Sequence, residues 1–454
     1  MAADSLDRRA ARWIVQRADR VIWGIGACLL VTYLAAMLVF PRAYGRMIFG
    51  DAAHHFVQLR SLAYDYDLDF WNDQILLYHA GDPQNPPQQL LTPTGHVRNY
   101  TPIGPAIVWA PLYFVVSGLL TLAAAVGFGA PPNGFDPLLQ AVPGITGVMA
   151  ATAGTWLSWR FATRLTDRPS ATAGALGVWL GGQALYYSLV SPSYSHAISM
   201  LASALFFTHW LHARDRWTWR AAAAAGALAG LAALIRWQDA IFLVVPVVEC
   251  LRAPTTWRDR ATGLVAVGAA ALLVFSPQIA AWQVLYGRPF TLPQGPGFMQ
   301  WLAPSPIAVL LSDKHGLFSW SPVLVLAIAG LVTIARRNRS LFLPLGLVVI
   351  ASWYVNACAA DWWAGEAFGA RRFLSLFPLF VAGLAQWLQP SVTRGQRGRA
   401  VIVAVLVCAN GLLLIQYQAF MKGLRDVAPY PEGWMGLWVM RFVVPFRLIG
   451  KWIG

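Results

Sequence analysis

The chain has 454 residues, of which 57% are hydrophobic and only 12% are charged, with a mean hydropathy of +0.52. A soluble domain carries about 25% charged residues, so a soluble enzyme, a disordered chain and a secreted disulfide scaffold are excluded. Apolar runs of about 20 residues recur along the whole length, which is what a bilayer-crossing helix requires. The expectation is an all-α polytopic membrane protein, a single transmembrane domain over 1–454.

The net charge of +14 is not spread evenly. Six short stretches hold 20 basic and 6 acidic residues: 1–20, 160–168, 214–220, 252–260, 336–339 and 394–399. The rest of the chain holds 14 basic and 14 acidic residues and sums to zero. An excess confined to short connections between apolar segments is the pattern of cytoplasmic loops. No basic face on a soluble domain exists, so nucleic acid is not a partner.

In chain order, residues 1–40 read as a signal anchor, because no small-residue cleavage site follows the apolar run. Apolar segments follow at 102–126, 138–159, 170–190, 196–213, 221–235 and 240–251, then at 261–285, 321–335, 341–357, 373–389 and 400–417. The arginine clusters place 41–101, 191–195, 236–239, 286–320, 358–372 and the amphipathic tail 418–454 together on the non-cytoplasmic side. One parity conflict arises. Two segments separate the outer loop 41–101 from the inner cluster 160–168, where an odd number of crossings is required. The stretch 102–126 opens with Pro102, Gly104, Pro105 and Pro111, so a broken or re-entrant segment is expected there. About 11 crossings result. Cys28, Cys250, Cys358 and Cys408 lie in or beside apolar helices and offer neither a disulfide framework nor metal spacing. The tail reads as an interfacial helix carrying Trp434, Trp438, Phe442 and Trp452 with Arg441, Arg447 and Lys451.

In a membrane protein, chemistry is sought where polar groups gather against the apolar grain. The first outer loop carries Gly50-Asp51, His54-His55, Arg60-Ser61-Leu62, then Asp65, Asp67 and Asp69, and closes with Arg98-Asn99-Tyr100-Thr101-Pro102. Residues 51–64 have the spacing of a short amphipathic helix along the membrane surface, with Asp51 at its amino end. Asp51 either caps that helix or serves as base towards an acceptor hydroxyl. His54 and His55 are adjacent and point to different faces. The acidic run Asp65, Asp67 and Asp69 reads first as a solvated turn, with metal or sugar-hydroxyl contacts, the latter from Asp67 and Asp69, as the alternative.

Four outer sites supply cations: Arg60, Arg236, Lys314 beside His315, and Arg371-Arg372. Arginine's planar fork suits a phosphate. Arg371-Arg372, beside Trp362, Trp363 and Glu366, is the first choice, with anchoring of the following helix as its structural alternative. Arg236 lies three residues from Asp239, and a simple ion pair is the plainer reading there. The Gly- and Pro-rich loop 286–320 either closes over a substrate or merely connects. His196 opens an apolar helix, where a structural hydrogen bond is the plainer role. The 22 tryptophans are chiefly interfacial, although Trp362 or Trp363 has the shape to stack on a sugar.

Gly50-Asp51, Arg60-Ser61-Leu62, the Asp65-x-Asp67-Leu68-Asp69 run and Tyr100-Thr-Pro102-x-Gly104-Pro105 with Trp109-Ala110-Pro111 resemble the GT-C superfamily of integral-membrane glycosyltransferases. Ser193-Tyr194-Ser195-His196 and Trp363-x-Gly365-x-x-Phe368-Gly369-x-Arg371-Arg372 resemble further outer-side motifs of that group. The resemblance implies a GT-C-like bundle of about 11–12 transmembrane segments with juxtamembrane helices in the first outer loop. It also implies a bacterial plasma-membrane location with an extracytoplasmic site, a polyprenyl-phosphate sugar donor, and a lipid, glycan or protein acceptor. Asp51 is the position matching that family's acidic residue, which serves as base or acceptor-orienting group. The next residue is Ala52, so an adjacent second carboxylate is lacking and a divalent metal is not supported; no cofactor is expected. Substrate contacts are expected from His54, His55, Arg60, Asp67, Asp69, Tyr100, His196, His315, Trp363 and Glu366. The alternative is a transporter or flippase of lipid-linked saccharides, which calls for Gly/Pro breaks in two repeated halves. No repeat is present. A non-catalytic partner in cell-envelope assembly is a weaker third reading.

Overall fold

The computed structural model describes residues 16–39, 47–78, 81–82, 85–389 and 396–453; Arg8, Arg9, Arg12 and Arg394 lie outside these. The described residues are all-helical, with isolated bridges at Leu91–Val97 and Met299–Ala359 and no strand. In chain order the helices are α1 (Ala18–Val39), α2 (Asp51–Arg60, extended by a π turn Ser61–Asp65), α3 (Trp71–Tyr78), α4 (Gly104–Ala125), α5 (Pro137–Ala162) and α6 (Arg168–Gly181). Next come α7 (Ala184–Leu189), α8 (Ser195–Ala213), α9 (Trp219–Ile235), α10 (Val244–Arg252), α11 (Trp257–Tyr286) and the single turns α12 (Ala308–Leu311) and α13 (Leu317–Trp320). Last are α14 (Val323–Arg337), α15 (Arg339–Cys358), α16 (Phe377–Leu388), α17 (Gln396–Met421) and α18 (Met440–Ile453). Five are long and apolar enough to cross a membrane: α1, α4, α11, α15 and, from Arg397, α17.

Helix starts coincide with the arginine clusters. The side chains of Asp167, Thr218, Thr256 and Asn338 accept from Ser170, Ala221, Asp259 and Ser340 backbone N–H groups and cap α6, α9, α11 and α15. Each cap satisfies a donor the first helical turn leaves unpaired. Between the clusters, small residues let backbones approach. Gly226 and Gly230 of α9 face the Val267 and Ala271 carbonyls of α11, and Gly330 of α14 faces the Gly383 carbonyl of α16.

The stretch 102–126 is not broken: it is one continuous helix, α4, which accommodates Pro105 in its first turn and Pro111 in its interior. Its length does not carry the chain to the other end of the bundle. At its start, Ile103 N–H donates to Gln278 of α11 at 2.8 Å, and Gly104 abuts the Leu234 carbonyl at the end of α9. After α4 the chain doubles back: Gly134 O accepts from Tyr113 of α4 at 2.8 Å, and Asn133 O from Arg60 of α2 at 3.1 Å. Gln140, in the first turn of α5, then accepts from Met47 N–H at 2.9 Å, beside the end of α1. The parity conflict is thereby removed, because α5 alone links the Asp51 end of the bundle to the Arg160–Arg168 end.

The tail helix α18 packs Val444 on Ala419 and Ala428 and leaves Phe442, Phe446 and Ile449 exposed. Arg441 is fully buried, donating to Leu437 O and lying 4.5 Å from the Trp438 ring centre.

Candidate functional site

A cavity of about 440 Å³ opens at the end of the bundle where α2, α4 and α8 begin and α9 and α15 finish. Asp51 lines it. The residue before it, Gly50, has φ 56° and lies so close to the Tyr194 hydroxyl that a side chain would collide with it, so glycine is required on both counts. Gly50 is the helix cap, and the Asp51 carboxylate is turned across the cavity. Its Oδ2 accepts from Arg371 Nη1 at 2.5 Å, a pair joining residues 320 positions apart. Burial by itself would raise the Asp51 carboxyl, but the charge and hydrogen bond of Arg371, together with the neighbouring His55 and His54, outweigh it and hold the group below the usual carboxylate range. Arg371 also donates to Ala364 O and stacks on Tyr194.

Arg372 is tied to Asp361, through both the side chain at 2.6 Å and the carbonyl at 3.0 Å. Arg236 is held differently. Extended backbone at φ −148° ends α9 and turns its guanidinium into the cavity, where the partners are all neutral. Nη1 donates to His196 Nδ1 at 2.6 Å and to Ser195 Oγ, and Nη2 donates to Gln238 Oε1. Nε has no partner. Asp239 turns away to accept from Ser199 Oγ at 2.9 Å, so the plain Arg236–Asp239 ion pair does not form. Burial lowers the Arg236 guanidinium to about 10 against the opposing pull of Asp239, which leaves it a cation at neutral pH.

His55, one turn beyond Asp51, donates Nδ1–H to Pro102 O at 2.9 Å, so Nε2 carries the lone pair. Burial pushes this imidazole down to about 4. The opposite wall comes from the loop after α11, which is stitched in place. Gln300 N–H donates to Cys358 O and Ala360 N–H to Phe298 O, while Gln294 Nε2 donates to Tyr100 O. Gln294 Oε1 has no partner. Leu292, Phe298, Met299 and Trp301 make this wall apolar, and Ile241 from the turn after α9 adds to the apolar lining.

Of the residues singled out in the sequence, Asp51, His55, Tyr100, His196, Arg236, Arg371 and Arg372 line the cavity. The others lie elsewhere. Arg60 is a buried hub that pairs with Asp65 and with Asp73 at 3.2 Å. Asp67 accepts from Ser61 Oγ and Asp69 caps the Trp71 N–H, a turn built around Tyr66 at φ 60°. His54 offers its carbonyl to Asn99. Lys314 sits 4.4 Å from the Trp363 ring centre, and His315 is clasped between Trp363 O and the Tyr430 hydroxyl, where burial lowers it to about 4. Glu366 is exposed and does not line the cavity. Thr101, Ser195, Trp237, Gln238, Gln294 and Asn356 line it without having been singled out. Asn356 had a signal, an amide within an otherwise apolar helix; Gln294 had none beyond its loop.

No family model matches the chain, and no curated protein is significantly similar to it.

Proposed function

We propose that the protein is an extracytoplasmic glycosyltransferase of the GT-C type in a bacterial plasma membrane, moving a sugar from a polyprenyl-phosphate donor to a hydroxyl of a cell-envelope acceptor. The observation that carries this reading is one cavity holding an ionised carboxylate, Asp51, together with Arg236, a cation whose hydrogen-bond partners are all neutral. Glycosyl transfer needs both, a proton acceptor at the nucleophile and positive charge where negative charge develops on the leaving group. The apolar wall of Leu292, Phe298 and Trp301 suits the first isoprene units.

In the proposed single displacement, the acceptor oxygen attacks the anomeric carbon from the face opposite the phosphate. The carbon–oxygen bond to phosphate breaks, and its electron pair leaves on the phosphate, held by Arg236 with Arg371 beside it. The hydroxyl proton passes to the Asp51 carboxylate, and the sugar inverts.

The test is transfer of radiolabelled sugar by the purified protein from a panel of polyprenyl-phosphate donors to membrane-lipid acceptors, with Asp51→Asn alongside. Near-abolition of transfer in a folded Asp51→Asn protein supports the reading. Equal transfer by both proteins removes Asp51 from the chemistry. Tight binding of polyprenyl phosphate without turnover favours a transporter or flippase of lipid-linked saccharides.

A further inference from the structure

A second charged cavity lies at the opposite end of the bundle. It has a volume of about 600 Å³ and is lined by Arg164, His212, Arg214, Arg216, Asn338 and Ser340, with Asp215 also present. Three separate connections build it: the turn after α5, the turn after α8, and the joint between α14 and α15. Two helices tie it to the Asp51 cavity. His196 and His212 both stand on α8, and Ser340 and Asn356 both stand on α15; each pair is sixteen residues apart. At 1.5 Å per residue the two cavities are about 24 Å apart, close to the thickness of a hydrocarbon core, about 30 Å.

Asp215 and the Arg214–Glu249 pair offset part of the charge in this cleft and leave the rest uncompensated. Arg164 Nη1 donates to His212 Nδ1 at 3.0 Å, which makes that ring nitrogen an acceptor and the arginine's partner neutral. Arg214 donates to Ser340 Oγ at 2.8 Å, with Glu249 at 3.9 Å. Among the described residues, neither Arg164 nor Arg216 has a carboxylate within ion-pair distance. The other arginine clusters at this end behave differently: Arg336 and Arg337 do not line this cleft, and Arg399 is folded back on Trp387 and Gln389 carbonyls. Positive charge shared among short loops explains arginines at this end, but not their convergence from three loops on one cleft.

We propose that this cleft binds a phosphate group, with Arg164 and Arg216 as the paired forks and the Nε2–H of His212 as a further donor. Guanidinium forks favour tetrahedral oxyanions, and basic pockets between membrane helices on one face take anionic headgroups. The phosphate comes either from a phospholipid headgroup of the adjoining leaflet or from a soluble phosphate.

The experiment uses the full chain purified in detergent, with two probes at one ionic strength: inorganic phosphate, and radiolabelled phosphatidylglycerol in mixed micelles. Arg164→Gln/Arg216→Gln is compared with Arg336→Gln/Arg337→Gln, which removes the same charge from the same end; thermal midpoints check folding. The expected result is binding that falls about tenfold or more in the cleft variant and hardly at all in the control. Loss for both probes marks a site open to any phosphate, and loss for the lipid alone marks a headgroup site. An equal fall in both variants, an unchanged cleft variant, or no binding of either probe by the wild type overturns the proposal.

Discussion

Arg236, rather than Arg371, is expected to dominate affinity for the donor phosphate. The charge of Arg371 is already matched by Asp51 at 2.5 Å, whereas Arg236 makes hydrogen bonds only to neutral groups and keeps Nε free. A hydrogen bond to a charged group contributes about 1.5–3 kcal/mol. Arg236→Gln removes at least one such bond to a phosphate, so binding of polyprenyl phosphate should weaken about 10- to 100-fold. A thermal midpoint checks the fold, because Asp239, although hydrogen-bonded to Ser199 and not to Arg236, loses the neighbouring positive charge that favours its ionised form. The same logic gives an opposite expectation for Asp51→Asn. Freed from its partner, Arg371 gains an uncompensated charge, and polyprenyl phosphate should bind several-fold tighter even as transfer disappears. Equilibrium binding of polyprenyl phosphate to the three purified proteins decides the matter. Unchanged affinity in Arg236→Gln, or weaker binding in Asp51→Asn, would refute the reasoning.

Three further expectations concern the scaffold. Arg60→Leu removes the hydrogen bonds to Asp65, Asp73 and the Asn133 carbonyl, after which the buried Asp73 takes a proton; the loss is about 1–3 kcal/mol and should lower the thermal midpoint while the remaining folded protein keeps its donor KM. Burial already pushes Asp73 up to about 7 against the pull of Arg60, which shows how little else supports its charge there. His315 is neutral when folded, with its pKa lowered from 6.5 to about 4. Its share of stability is therefore intact above pH 6.5 and lost as the pH falls towards 4, by up to about 3 kcal/mol; His315→Gln should flatten that part of the pH–stability curve, and an unchanged slope would remove His315 from it. Gly330→Ala drives a methyl group into the Gly383 carbonyl and should separate α14 from α16 at about 1–3 kcal/mol, read as a lower thermal midpoint that Gly346→Ala, with open space around it, does not share.

How far the sequence revealed this arrangement depends on the kind of signal each feature leaves. The helical bundle and its two unlike ends were legible because hydropathy and arginine placement are properties of composition, and helix caps fall in the same short stretches. The path of α4 was legible only as a contradiction. Length and hydropathy are the same whether or not a helix carries the chain across, and the deciding contacts, Tyr113 with Gly134 and Met47 with Gln140, are tertiary. Within the cavity, the local signal at Gly50-Asp51 pointed to a residue that lines it, while its partner 320 positions away carried no mark of the pairing. Neighbours in sequence misled where the backbone turns sharply. Asp239 stands three residues from Arg236, yet the extended residue at 236 and the 3-10 turn after it send the two side chains apart. Likewise Trp363 and Glu366 flank left-handed Ala364 and Gly365, and that turn keeps them off the cavity that Arg371 and Arg372 line. What neutralises a charged residue is thus a property of the fold: Arg236 and Arg371 are alike in sequence, and only the position of Asp51 matches the charge of one and leaves the other with neutral partners.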